Sequence, residues 1–278
     1  MAYDSSANKW THGILGFLYF AWGVVQLILI YGTDPCPARW SLTTTYRGPG
    51  TDDLDLGAPF GGQYKEKADG YTAGILMAVA FMVLGLGYFF QAFGDEMDIQ
   101  INNRLRPTRW VILAIVQGLM ITTVSFYAAV LEMWLFIALG VSAIYLNYAQ
   151  FINEAINSDT ETKTGDQTGK SMFSRIMLVD YFVATCVWVF IGIVWLVHMI
   201  NANSVHTGAI AIVCFYWITY FVLHVLILFW TTNYNTDYWE GQKHLRELPF
   251  IIATFIMMVV PSIIAYADTN IDGGDCPR

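Results

Sequence analysis

The sequence predicts an all-α membrane protein, a seven-transmembrane-helix bundle with a short β-hairpin in the outer loop between its first two spans. Three observations predict it. Of the 278 residues, 56% are hydrophobic and only 13% are charged, where a soluble domain carries about a quarter of its residues as charges. Mean hydropathy is +0.47. The charges fall in short interruptions between apolar runs, and each run is long enough to cross the hydrocarbon as a helix of about 20 residues. No run dominates, so residues 1–278 read as a single transmembrane domain.

The spans are expected at 12–31, 71–93, 109–130, 133–152, 174–200, 207–230 and 248–267. The first run is too long for a signal-peptide core and is followed by no small-residue cleavage site, so it stays as a helix. The loop from Gly32 to Gly70 contains RWSLTTTYRGPG, in which β-branched and polar residues alternate before a Gly-Pro-Gly turn; this reads as the hairpin. In the second span Gly74, Ala78, Gly85 and Gly87 mark close contact with a neighbouring helix. Glu132 stands at the turn before the fourth span, where it can reach water. The polar loop NSDTETKTGDQTGKS separates the fourth span from the fifth. Trp10, Trp22, Trp40, Trp110, Trp134 and Trp239 mostly fall near span ends, as an aromatic belt does.

Basic residues set the orientation, because cytoplasmic loops accumulate Lys and Arg. One side holds Lys9, Arg104, Arg106, Arg109, Lys163, Lys170, Arg175, Lys243 and Arg246; the other holds Arg39, Arg47, Lys65, Lys67 and Arg278. The amino terminus is therefore expected in the cytoplasm and the carboxyl terminus outside or in a lumen. That places Cys36 (DPCPARW) and Cys276 (GGDCPR) on one oxidising face as a disulfide candidate, the alternative being two lone thiols. The net charge of −8 argues against a nucleic-acid partner.

Ionisable residues inside a span are expensive and mark function by default. Asp180 in the fifth span and His224 in the sixth sit at similar depth and could pair, either as a proton-sensing or ion-coordinating couple or as a buried bond that fixes packing. Gln26, Gln117, Thr122, Thr123, Ser142 and Thr185 add hydrogen-bonding groups suited to interhelical contacts. The sequence contains no H-E-x-x-H, no G-x-S-x-G and no Gly-rich phosphate loop. His198, His206, His224 and His244 lack paired metal-ligand spacing, so neither an enzyme nor a metal site is expected.

Thr45, Tyr46, Gly48 and Pro49 in the long loop form a Thr-Tyr-x-Gly-Pro turn, and Asn103 precedes an Arg109-Trp110-Val111 entry to the third span. Gly140-Val141 with Ala143 in the fourth span, and Trp239 with Glu247 before the seventh, complete a pattern that runs over nearly the whole chain. In order, spacing and inverted topology it resembles the heliorhodopsins, a microbial-rhodopsin-like family. The resemblance implies a rhodopsin-like fold and, weakly, a homodimer. In that family a lysine of the seventh span, four residues after a serine, forms a Schiff base with retinal. Here Thr254 takes the serine position and Met258 the lysine position, or Met257 if the register slips by one. The family's glutamate counter-ion corresponds to Ile112, and its two inner-cavity histidines to Gly23 and Tyr88. An apolar Ile112 suits a site with no positive charge to balance, because an unpaired buried carboxylate is costly.

The expectation is thus a heliorhodopsin-like integral membrane protein without covalent retinal. Ile112, Met120, Thr254, Met257 and Met258 are the candidate apolar pocket for a lipid, a carotenoid or free retinal in a sensory or signalling role. A structural or assembly subunit of a membrane complex and a proton or ion conductor are the alternatives. Membrane lipid is the expected partner in every case.

Overall fold

The computed structural model describes residues 4–33, 42–46, 63–68, 72–103, 105–130, 132–158, 179–201, 207–232 and 243–271. The elements are α1 (Ser5–Thr33), β1 (Leu42–Tyr46), β2 (Gln63–Ala68), α2 (Thr72–Phe93), α3 (Glu96–Asn102), α4 (Pro107–Tyr127), α5 (Met133–Ser158), α6 (Val179–Asn201), α7 (Thr207–Thr232) and α8 (Glu247–Ile271). A 3-10 turn, Lys243–Arg246, leads into α8. Seven of these helices are long and apolar enough to cross a membrane: all but the short α3. Their outer faces carry large apolar side chains such as Phe17, Phe90, Phe182, Phe190 and Ile218, all exposed on the isolated chain. Lipid is the only solvent in which so much exposed apolar surface is stable.

Two boundaries differ from the sequence reading. Helix α1 begins at Ser5 rather than near residue 12, so Lys9 lies within its first turns and not in a preceding loop. The basic side chain is accommodated there because Asp95 and Asp98 come within 3.2 and 2.9 Å of its ammonium. Between the second and third spans the chain forms α3, which buries Met97, Gln100 and Ile101. The strands β1 and β2 pair antiparallel, with Thr44 opposite Lys65 and Tyr46 opposite Gln63. The partner of the LTTTY strand therefore lies well beyond the Gly-Pro-Gly segment rather than directly after it. The polar 4–5 loop, Cys36 and Cys276 lie outside the described residues.

Glycine sets how closely α1 and α2 approach. A Cβ on Gly85 would meet Phe20 N at 2.7 Å and Gly16 O at 2.8 Å, and one on Gly23 would meet Ala78 O at 2.7 Å. These are backbone atoms and cannot swing aside. Ala78 and Gly85 of the second span are thus in close contact with α1, and Gly23 is held as glycine by its neighbour α2. The core itself runs the length of α4, where Trp110, Leu113, Val116, Met120, Ile121 and Val124 are all buried. Helix α8 contains Pro261, and its neighbour Ser262 accepts hydrogen bonds from Trp22 Nε1 at 2.8 Å and Gln26 Nε2 at 2.9 Å, which tie α8 to α1.

A buried four-charge network and the cavity above it

Two arginines enter the bundle where α4 begins. Pro107 occupies the first turn of that helix, a position where its missing N–H leaves no bond unmade. Arg106 is the residue that precedes the helix and Arg109 lies in its first turn, and both side chains reach Glu247. Both are buried, Arg106 at 1% exposure and Arg109 at 5%. Glu154 of α5 and Glu247 at the start of α8 face them, equally buried. Arg106 donates to Glu247 and to Gln91 Oε1 of α2, and its backbone N–H donates to Glu154 at 3.3 Å. Arg109 donates to both Glu247 oxygens at 3.2 and 3.3 Å and to Glu154 at 2.5 Å. Trp110 Nε1 also donates to Glu154. The Arg109 guanidinium lies 3.9 Å from the centre of the Phe250 ring. Two cations and two anions thus neutralise one another, and their charge-assisted bonds bind α2, α4, α5 and α8 at one end of the bundle.

Next to this network lies a cavity of about 20 Å³, room for a single water. Arg109, Glu247, Gln91, His12 and Tyr88 form its polar side, with Ile112 and Thr254 among the rest of its lining. His12 stacks on Tyr88 with ring centres 4.8 Å apart and makes a 2.9 Å contact from Nδ1 to Asn8 O. Of the five residues expected to form an apolar pocket, Ile112 and Thr254 reach this cavity, whereas Met120, Met257 and Met258 do not line it. Those three methionines are fully buried in the main core. Ile112 fills the space over Gly87, where an added Cβ would stand 2.7 Å from its Cγ2.

At the membrane edge, Asp98 of α3 accepts from Ser5 Oγ at 2.7 and 2.8 Å and pairs with Lys9. Partial burial pushes its carboxyl upward, but the bonds from Lys9 and Ser5 outweigh that and hold it below the usual carboxylate value.

A second polar group sits deeper, between α4, α5, α6 and α7. Asn147 Nδ2 donates to Gln117 Oε1 at 2.6 Å, and Tyr220 OH donates to the same oxygen at 2.8 Å. His224 bonds Gln150 through Nδ1 and lies 3.5 Å from Thr185 Oγ1. The Asp180 side chain lies outside the described residues, so its pairing with His224 does too. Among the described residues Cys186 and Cys214 are free, both on outward faces.

No family model and no curated protein matches the chain. A crystal structure of a rhodopsin from Exiguobacterium sibiricum does, with a TM-score of 0.59, at 12% identity over 95% of this chain and 96% of that one. The fold is that of a microbial rhodopsin. At such low identity the likeness concerns fold alone, and it covers the bundle from end to end.

Within this rhodopsin fold the four-charge network went unseen as a site in the sequence. Arg106 counted there only toward the basic side of the membrane, Arg109 toward that side and the Arg-Trp-Val motif, and Glu154 drew no notice near the end of an apolar run. The available signal was the presence of two arginines and two glutamates at span ends that alternate topology brings to one side. Trp110 also departs from the belt reading: it is buried, at 3% exposure, as a donor to Glu154, whereas Trp10 and Trp134 are exposed as a belt requires.

Proposed function

We propose that this chain is a heliorhodopsin-like membrane protein that forms no retinal Schiff base and works as a non-photochemical component of its membrane, a structural or assembly subunit. The observation that carries the reading is the complete burial of Met257 and Met258 in a packed core, where the resemblance places the retinal lysine. A thioether offers no amine for an imine bond. Ile112, at the counter-ion position, packs on Gly87 and adds no carboxylate. The amino terminus lies in the cytoplasm in this reading, with the four-charge network at that side, and the subunit meets a second copy or another membrane chain through its apolar outer faces.

A second reading has one observation in its favour. Ile112 and Thr254 share a cavity with polar neighbours, so an apolar ligand such as a lipid chain, carotenoid or free retinal could enter by displacing the core beside them, giving a sensory role without a covalent bond.

A visible absorption spectrum of the purified protein, made with and without all-trans retinal and then treated with hydroxylamine, tests both. The structural reading expects no visible band. A band that hydroxylamine leaves intact supports the non-covalent ligand, and a band that it bleaches overturns both readings.

A further inference from the structure

Helix α5 carries Asn147, Gln150 and Glu154 at a spacing that places all three on one face, and all are buried, at 2%, 2% and 0% exposure. Each engages a different neighbour: Asn147 meets Gln117 and, through it, Tyr220; Gln150 meets His224; Glu154 meets Arg109 and Trp110. The result is a polar seam of about 10 Å along α5, at 1.5 Å of rise per residue, which runs from the charge network to the middle of the bundle. It lies between α4, α5 and α7 and touches the cavity at Ile112 and Thr254 at its charged end, through Arg109. One atom in it is unaccounted for. Gln150 Oε1 is buried and has no hydrogen-bond partner among the described residues, although buried amide oxygens are nearly always satisfied by protein or by water.

We propose that the seam is hydrated: a water held by Gln150 Oε1 bridges the Glu154 end to His224. Water is the ligand this chemistry selects, since the open valence is a single neutral acceptor between neighbours that both donate and accept. Neither Met257 nor Met258 belongs to it, so the seam stands independently of whether the chain binds retinal.

Water-edited solid-state NMR of the full 15N-labelled chain in phosphatidylcholine bilayers tests it. Trp195 Nε1, which donates to Ser125 Oγ at 2.9 Å in the dry core, is the internal reference. Polarisation from water is expected to build at His224 and at the Gln150 amide at least threefold faster than at Trp195. Gln150→Leu should slow the build-up at His224 to the Trp195 rate, and Gln150→Glu, which keeps an acceptor in place, should preserve it. Build-up at His224 no faster than at Trp195 in the unaltered protein overturns the proposal, whether or not the leucine variant folds. So does a folded Gln150→Leu protein in which His224 stays as wet as before.

Discussion

Glu247 accepts from two guanidinium groups while buried at the start of α8, so a neutral amide there leaves a buried excess of positive charge. Glu247→Gln is expected to destabilise the bundle by about 3–5 kcal/mol, the usual result of removing one partner from a buried pair, read as a lowered thermal midpoint in detergent. Asp98 gives a milder, pH-dependent effect. Because its folded carboxyl titrates below the ordinary value, its contribution is complete above about pH 4 and is lost as pH falls through the depressed value. The melting midpoint should therefore drop on acidification below that point, and Asp98→Asn should flatten this part of the profile; an unchanged profile in Asp98→Asn rules the assignment out. At this scale the sequence was least informative. It drew attention to Asp180 and His224 because they interrupt apolar runs, but it offered nothing to join Arg106 to Glu247 or Glu154 to Trp110. Those pairs are 141 and 44 positions apart and become neighbours only when the helices are folded back on one another.

Helices themselves were legible, since a bilayer demands long apolar runs and the described residues hold seven. What escaped was the structure at their ends, where apolar content no longer decides: α1 starts early, with Asp4 accepting from the Ala7 N–H at its first turn and Asp95 and Asp98 receiving Lys9, and α3 forms in a segment too short and too mixed to register. A close contact on α2 was readable from its small residues, and the structure supplies α1 as the partner. Gly85→Ala forces a methyl against the Phe20 amide and the Gly16 carbonyl. The two helices must separate, at a cost of about 1–3 kcal/mol typical of overpacking, seen as a lower unfolding midpoint. Gly13→Ala on the same interface places its Cβ at an ordinary 3.7 Å from Ala92 and should leave stability nearly unchanged.

Across the whole molecule burial is uneven. Of the apolar window of α4, 61% is buried, against 22% for α6. Amide exchange in micelles should accordingly be slowest in α4 and faster in α6, because opening follows the contacts that must break; equal protection of the two helices would point to a partner covering α6. The seven-helix architecture could be read from hydropathy, and a polar cluster that holds its end together could not, because hydropathy sums over residues while a cluster depends on which of them meet. That cluster has one more consequence. Arg106, Arg109, Glu154 and Glu247 sum to zero charge, so they move no net charge if they shift as a unit. A transmembrane voltage acts on displaced charge at about 2.3 kcal/mol per elementary charge per 100 mV, and here it finds almost nothing to pull. The four-residue cluster is electrically silent in this sense, and voltage steps should evoke no gating current from its movement.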